Sequence, residues 1–159
     1  MVSESREGGL LEDNDEALLL GALRFEARSV ANLVIPLEQV ASLPEGVTAA
    51  QAEAAAVEGF SRFPVKAADS TLTGYVHIKD LLDSVQEKRE HPIPAERIRA
   101  LPVIRADEPL RQALTVMQDS GAHLGAATDE GGVVIGIVTL EDMLEELVGQ
   151  IRDDSRIAA

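Results

Sequence analysis

The sequence predicts a mixed α/β (α+β) fold of two tandem β-α-β-β-α motifs, related by a pseudo-two-fold axis and preceded by an N-terminal linker helix. The main observation is an internal repeat: Gly74–Leu82 recurs as Gly136–Leu144, 62 residues later (74 to 136). Gly59–Val65 lines up with Gly121–Ala127 at the same offset. A single half leaves one sheet face uncovered, so the two halves are expected to bury these faces against each other.

The first half contains one segment for each expected element. A short apolar strand is predicted at Val40–Leu43, and Ala49–Ala56 has the three- and four-residue apolar spacing of a helix. Two β-like runs, Arg62–Lys66 and Gly74–Ile78, lie on either side of a turn. An amphipathic helix at about Lys79–Glu87 closes this half.

The second half repeats this order. A short strand is predicted at Pro102–Ile104, and a helix follows with its apolar positions in Leu110–Met117. The two β-like runs are Leu124–Thr128 and Val133–Val138, and Leu140–Ile151 is the closing helix. Both halves therefore predict one strand, one helix, a two-stranded hairpin and a final helix.

The remaining segments are linkers and ends. Asn14–Arg28 predicts a helix, with Asn14 as its cap and acidic residues in its first turn. Glu87–Ala95 is charged and contains two prolines, which is typical of a linker. Gly59 and Gly121 are expected to end the first helix of each half. The predicted divisions are a linker helix (1–30), motif 1 (31–90), motif 2 (91–154) and a tail (155–159), and the end of the chain from Asp153 to Ala159 is expected to fray.

The composition excludes several classes of function. The formal net charge of −14 repels phosphate-rich surfaces, so nucleic acid is not an expected partner. The absence of cysteine excludes disulfides, thiolate zinc sites and a thiol nucleophile, and it fits a reducing cytoplasm. No apolar run approaches the roughly 20 residues of a membrane span. The three histidines are scattered and there is no P-loop or Gly-x-Ser-x-Gly motif, so no enzyme is predicted.

Four stretches resemble the CBS family, and in particular the CBS pair of CorC/HlyC-type membrane proteins, which are hemolysin-like and associated with magnesium and cobalt efflux. They are Gly59–Val65, Val76–Leu82, Asp129–Gly132 and Gly136–Gly149, of which the last is the most specific. The resemblance extends over about Ser29–Asp154, nearly the whole chain.

The resemblance implies a regulatory module with no catalytic activity, on the cytoplasmic side of an inner or plasma membrane protein. Its expected ligand is an adenine nucleotide, ATP or AMP, with Mg²⁺ bound through the phosphates. Its expected partners are a membrane domain of the parent protein and a second copy of the module, paired through the closing helices. A ligand-free dimerisation module of the same parent remains the alternative function.

Thr139 and Asp142 lie where the last strand meets the last helix. Taken alone, this pattern is a helix cap in which Thr139 accepts a hydrogen bond from the first turn. The resemblance implies a second role, in which Asp142 accepts hydrogen bonds from both ribose hydroxyls and Thr139 contacts the ribose or a phosphate. The two interpretations are compatible.

The segment that contains Phe60, Ser61, Arg62 and Phe63 is the second part of the implied site. Taken alone, Arg62 is a surface cation and Phe63 a core residue. In the family this segment lies against the nucleotide, which makes Arg62 the expected phosphate contact because guanidinium matches phosphate geometry. Ser61 adds a hydroxyl. Phe60 either packs on adenine or fills the core.

His77 and Asp80 are the counterparts of Thr139 and Asp142 in the first half. Because His77 stands where the motif prefers Thr or Ser, we expect this second cleft to be weaker or vestigial. Glu141 and Glu145 share one helix face, but two carboxylates on one helix make at best a weak magnesium site. A solvated acidic face is the favoured interpretation, and no metal site formed by the protein alone is predicted.

Overall fold

A computed structural model describes residues 15–21, 23, 28–82 and 89–158, and in it each half of the repeat forms its own sheet. The strands are β1 (Ile35–Pro36), β2 (Leu43–Pro44), β3 (Arg62–Lys66), β4 (Leu72–His77), β5 (Val103–Arg105), β6 (Leu124–Thr128) and β7 (Val134–Thr139). The helices are α1 (Ala49–Ala56), α2 (Lys79–Leu82), α3 (Leu110–Ser120) and α4 (Leu140–Ala158), and residues 15–21 and 23 are also helical. Short 3-10 helices occupy Val30–Leu33, Leu37–Gln39 and Ala95–Arg97.

The two sheets have the same internal connectivity, which confirms the predicted fold. In the first half β2 pairs with β3 in parallel, and β3 pairs with β4 antiparallel. In the second half β5, β6 and β7 repeat this arrangement. The repeat seen in the sequence is therefore a repeat of topology, as expected when each half is one structural unit.

In each half, the lead-in segment before the first repeated strand pairs with the sheet of the other half. β1 lies before β2 of the first half, yet Ile35 pairs with Ile137 of β7, antiparallel, in the sheet of the second half. Correspondingly, Arg99 lies before β5 of the second half and forms an antiparallel bridge with Tyr75 of β4. Each lead-in segment therefore contacts the sheet of the opposite half, and these two pairings join the halves.

A glycine in each half permits this close approach. A Cβ on Gly136 would overlap the carbonyl oxygen of Ile35, and one on Gly74 would lie 2.6 Å from the carbonyl oxygen of Arg99. Real Cβ atoms do not approach oxygen so closely, so a larger residue at either position forces the lead-in segment away. This gives a physical reason for the glycine shared by Gly74–Leu82 and Gly136–Leu144.

Two apolar clusters form the core, and one aromatic residue links the halves. Phe63, Val65 and Leu81 belong to the cluster of the first half. Tyr75 is also on a strand of the first half, but it packs in the cluster of the second half with residues such as Met117. Burying a large apolar side chain contributes about 1.5–3 kcal/mol, so these contacts hold the halves together.

Most predicted elements are confirmed, and two differ. The predicted strand Val40–Leu43 is shorter and begins later, because Leu37–Gln39 forms a 3-10 helix that ends with the Val40 N–H bonded to the Leu37 carbonyl. Residues 155–158 of the predicted tail belong to α4, which continues to Ala158 because no glycine or proline follows Gly149. Asn14 and the end of the first closing helix lie outside the described residues.

Candidate functional site

A cavity of about 170 Å³ lies where the two halves meet. We call it the first cleft. Three parts of the chain form its wall: the lead-in segment around β1, the start of β3, and the strands β6 and β7. The lining residues are Ile35, Gln39, Val40, Ala41, Phe60, Arg62, Pro64, Leu124, Ile137 and Thr139.

The cleft is largely apolar, with a few polar groups at its mouth. Its volume is below the roughly 300–1,000 Å³ of pockets that enclose a whole ligand, so it encloses only part of a larger molecule. Phe60 is 49 % exposed, and its ring meets that of Phe63 edge-on at 6.1 Å. Phe63 itself is buried in the core, where it contacts Phe60 but does not line the cleft.

Thr139 forms the predicted helix cap, in which its Oγ accepts a hydrogen bond from the Asp142 N–H at 3.0 Å, and it also lines the cleft. This cap leaves the Asp142 carboxylate for other partners, because the bond uses the backbone of Asp142. Asp142 is half-buried in the first turn of α4. Within the described part of the chain, no cation pairs with its carboxylate.

Arg62 provides positive charge at the cleft. Its side chain is 24 % exposed, and one terminal nitrogen lies 3.6 Å from a carboxylate oxygen of Glu141. Its Nε is buried without a hydrogen-bond partner. Leaving a buried donor unpaired costs about 1–3 kcal/mol, and such a group in a native structure calls for an explanation. An anionic ligand at the mouth of the cleft would supply the missing acceptor.

Ser61 lies between two lining residues but does not itself line the cavity. It is exposed, and its carbonyl accepts a hydrogen bond from the Ile78 N–H at 2.8 Å. The structure therefore brings Phe60, Arg62 and Thr139 together around one cavity. It places Ser61 and Asp142 next to lining residues.

The region of the first half that corresponds to the first cleft lies around Tyr75, His77 and Asp80. We call it the second cleft by its position in the repeat, and its polar groups are already engaged. The Nδ1 of His77 accepts a hydrogen bond from the Lys79 N–H at 3.0 Å. Burial of the ring and the nearby Arg62 charge lower the pKa of His77, which favours the neutral ring that this bond requires.

Asp80 is held by an arginine in this second cleft. Both of its carboxylate oxygens accept hydrogen bonds from Arg99, each at 2.9 Å. These hydrogen bonds lower the pKa of Asp80, since they favour its charged form. The sequence did not reveal this pair, because the two residues are 19 positions apart and lie on different elements.

The wall formed by Ile35, Gln39, Val40 and Ala41 was also missed. The segment precedes the first half in the chain, and only its pairing with β7 brings it to the cleft. The sequence carried a partial signal for Ile137, because that residue lies within the repeated stretch Gly136–Leu144.

The described residues give no sign of a metal centre or a membrane helix. Among them, no group of three or more His, Asp or Glu side chains is arranged to hold a metal ion. Glu146, beside the acidic face of α4, forms an ion pair with Arg28. No described helix has the length and apolar character to cross a membrane.

Comparison with known proteins agrees with this architecture. Residues 96–149 match the sequence model of the CBS domain. An uncharacterised protein of Mycobacterium tuberculosis is 37 % identical over 159 residues, which cover 96 % of this chain and 46 % of that protein. The chain thus spans about half the length of this relative.

Two solved structures have the same fold. The CBS domain of a bacterial CNNM/CorC family Mg²⁺ transporter matches with a TM-score of 0.79 and 25 % identity, over 92 % of this chain and 91 % of that one. A CBS domain of the same transporter family in complex with ATP matches with a TM-score of 0.75 and 24 % identity, over 85 % of this chain and 97 % of that one.

The fold, the repeat and these matches define a tandem pair of CBS domains. Within that class, the chain is similar to the CBS domain of a bacterial CNNM/CorC family Mg²⁺ transporter.

Proposed function

We propose that this CBS pair is a regulatory module that binds an adenine nucleotide, ATP or AMP, in the first cleft and catalyses no reaction. The arrangement that supports this most strongly is an apolar cavity between the halves, with the unpaired Asp142 carboxylate beside it and the unsatisfied Arg62 Nε in its wall. The ATP complex of a similar CBS domain adds support.

Each part of the nucleotide has a matching group. The flat, apolar adenine suits the apolar interior, with Phe60 at its edge. The ribose hydroxyls are donors, and the Asp142 carboxylate accepts up to two such bonds. The phosphates would extend toward Arg62 and the N-terminus of the 19-residue helix α4, where the positive end of the helix dipole favours anions. Ser61 and Thr139 add hydroxyls beside this path.

Magnesium would assist binding through the phosphates. The chain carries a formal charge of −14, and Glu141 lies against the Arg62 that would meet the phosphates. Both features oppose a free polyanion. A divalent cation on the phosphates would offset this repulsion, so affinity should rise with Mg²⁺.

We further propose that the module belongs to the cytoplasmic part of a transporter and pairs with a second copy. Leu144 and Val148 lie one turn apart on α4 and are 39 % and 44 % exposed. Leu81 and Met143, on the two closing helices, are buried in the core. The proposed contact is therefore confined to the apolar residues that these helices expose. The alternative function follows if the chain pairs through this surface but binds no nucleotide: it would then be a ligand-free dimerisation module.

Isothermal titration calorimetry separates these two functions. ATP and AMP are titrated into the module, each with Mg²⁺ and with a chelator. We expect saturable binding that weakens in chelator, and no steady release of phosphate from ATP. No heat of binding for either nucleotide, from a protein that light scattering shows to be dimeric, would favour the ligand-free function.

A further inference from the structure

The position paired with Ile137 in the first cleft and with Tyr75 in the second can be compared directly through the repeat. In the first cleft, Ile35 pairs with Ile137, and both line the cavity. In the second, Arg99 pairs with Tyr75, the counterpart of Ile137, through backbone hydrogen bonds of 2.8 and 3.0 Å. Arg99 therefore occupies the place that Ile35 has in the first cleft.

Arg99 uses this position to engage the counterpart of Asp142. Its Nε and a terminal nitrogen donate to the two carboxylate oxygens of Asp80, both at 2.9 Å. Arg97 donates to the backbone carbonyl of the same residue at 2.8 Å. A ribose at Asp80 would need the same two oxygens, so it would have to displace a bidentate ion pair.

Tyr75, in the wall of the second cleft, is also hydrogen-bonded to the second half. The buried Tyr75 hydroxyl accepts a hydrogen bond from the His123 N–H at 3.1 Å, which joins the first half to the second. The bulk and the hydroxyl of Tyr75 stand where the first cleft has the aliphatic Ile137. The second cleft thus has a polar wall tied across the interface.

His77 by itself does not explain why the second cleft would fail to bind a nucleotide. Its Nδ1 accepts the Lys79 N–H at the start of α2, as the Thr139 hydroxyl accepts the Asp142 N–H at the start of α4. Like the threonine, the histidine therefore accepts a backbone N–H at the start of the helix that follows it. The larger chemical difference is the arginine that neutralises Asp80.

We propose that Arg99 is an internal occupant of the second cleft, which holds Asp80 in place of a ribose and limits the module to one nucleotide per chain. This inference rests on the proposed function of the first cleft. It attributes the expected lack of nucleotide binding at the second cleft to the Arg99 side chain, which a substitution can remove.

The test is the binding stoichiometry of Arg99→Ile, which installs the residue found at the equivalent position of the first cleft. Calorimetry with ATP and Mg²⁺ should give one nucleotide per chain for the unaltered protein and a second binding event for the variant. Adding Asp80→Ala to the variant should abolish that event. Arg105→Ile is the matched control, because Arg105 is another exposed arginine with a carboxylate partner, and it should leave the stoichiometry at one.

The background Asp142→Ala separates the two proposals. Alone it should lose binding, and combined with Arg99→Ile it should regain one nucleotide at the second cleft. If the unaltered protein binds one nucleotide and folded Arg99→Ile also binds only one, the role of Arg99 is refuted and the proposed function stands. If only the variants with Arg99→Ile bind, the first cleft was assigned wrongly. Binding by none of them overturns both.

Circular dichroism and thermal melting show whether each variant is folded. Should Arg99→Ile fail to fold, Arg99→Gln keeps most of the side-chain length and removes the charge that holds Asp80. It should likewise admit a second nucleotide, and unchanged stoichiometry in this folded variant contradicts the inference.

Discussion

Replacing Asp142 with alanine removes the proposed ribose acceptor without disturbing the local fold. The Thr139 cap persists, because it bonds to the backbone N–H of residue 142. No described cation loses a partner. The folded state loses only a favourable charge in the first turn of α4, about 0.3–1 kcal/mol.

The cost to binding is larger. Hydrogen bonds to a charged acceptor contribute about 1.5–3 kcal/mol each, and a half-buried carboxylate is partly screened by water. A loss of about 2–3 kcal/mol corresponds to a dissociation constant about 30–150 times higher. Calorimetry with ATP and Mg²⁺ measures this change, and Asp142→Asn should give an intermediate loss because it keeps one oxygen but not the charge.

The control is Asp119→Ala, which removes an exposed aspartate from α3, away from the cleft. It should leave the affinity unchanged. An Asp142→Ala protein that is folded and binds ATP as tightly as the unaltered chain would refute the assignment of this carboxylate to the ribose.

Two further predictions concern stability. Gly136→Ala should lower the melting temperature and weaken nucleotide binding, because its Cβ would collide with the Ile35 carbonyl and push β1 away from the cleft. Gly149→Ala is the matched control: nothing lies within 4 Å of its Cβ, so it should raise helix stability by about 0.5–1 kcal/mol. The pKa of Asp80 is lowered in the folded chain, so its contribution to stability is complete above about pH 4 and is lost as the pH falls through the folded pKa. Arg99→Ile should remove this acid dependence from denaturant unfolding measured between pH 2 and pH 6, and an unchanged pH profile would contradict it.

Local sequence information was enough for the elements of the repeat. The bounds of β3 (Arg62–Lys66), β6 (Leu124–Thr128) and α1 (Ala49–Ala56) agree with the sequence prediction. Gly121 ends α3 in the left-handed conformation, with φ of 67°. The Thr139 cap also follows from neighbours along the chain. Such features depend on spacing, capping and turns, which a sequence displays directly.

The candidate site was predicted only in part, because its residues come from both local motifs and distant segments. Phe60, Arg62 and Thr139 line the cavity, as their motifs indicated. Phe63 belongs to the core, since the inward side of β3 is decided by packing against the helices. The wall around Ile35 was not foreseen.

The sequence by itself determined the repeat, the order of the elements and the residue types at each strand-to-helix junction. The tertiary structure decided that each lead-in segment joins the sheet of the opposite half, which brings Ile35 to one cleft and Arg99 to the other. The physical reason is that β pairing depends on close backbone approach between segments far apart in the chain. Glycines at 74 and 136 permit that approach, but they do not specify which segment fills the space.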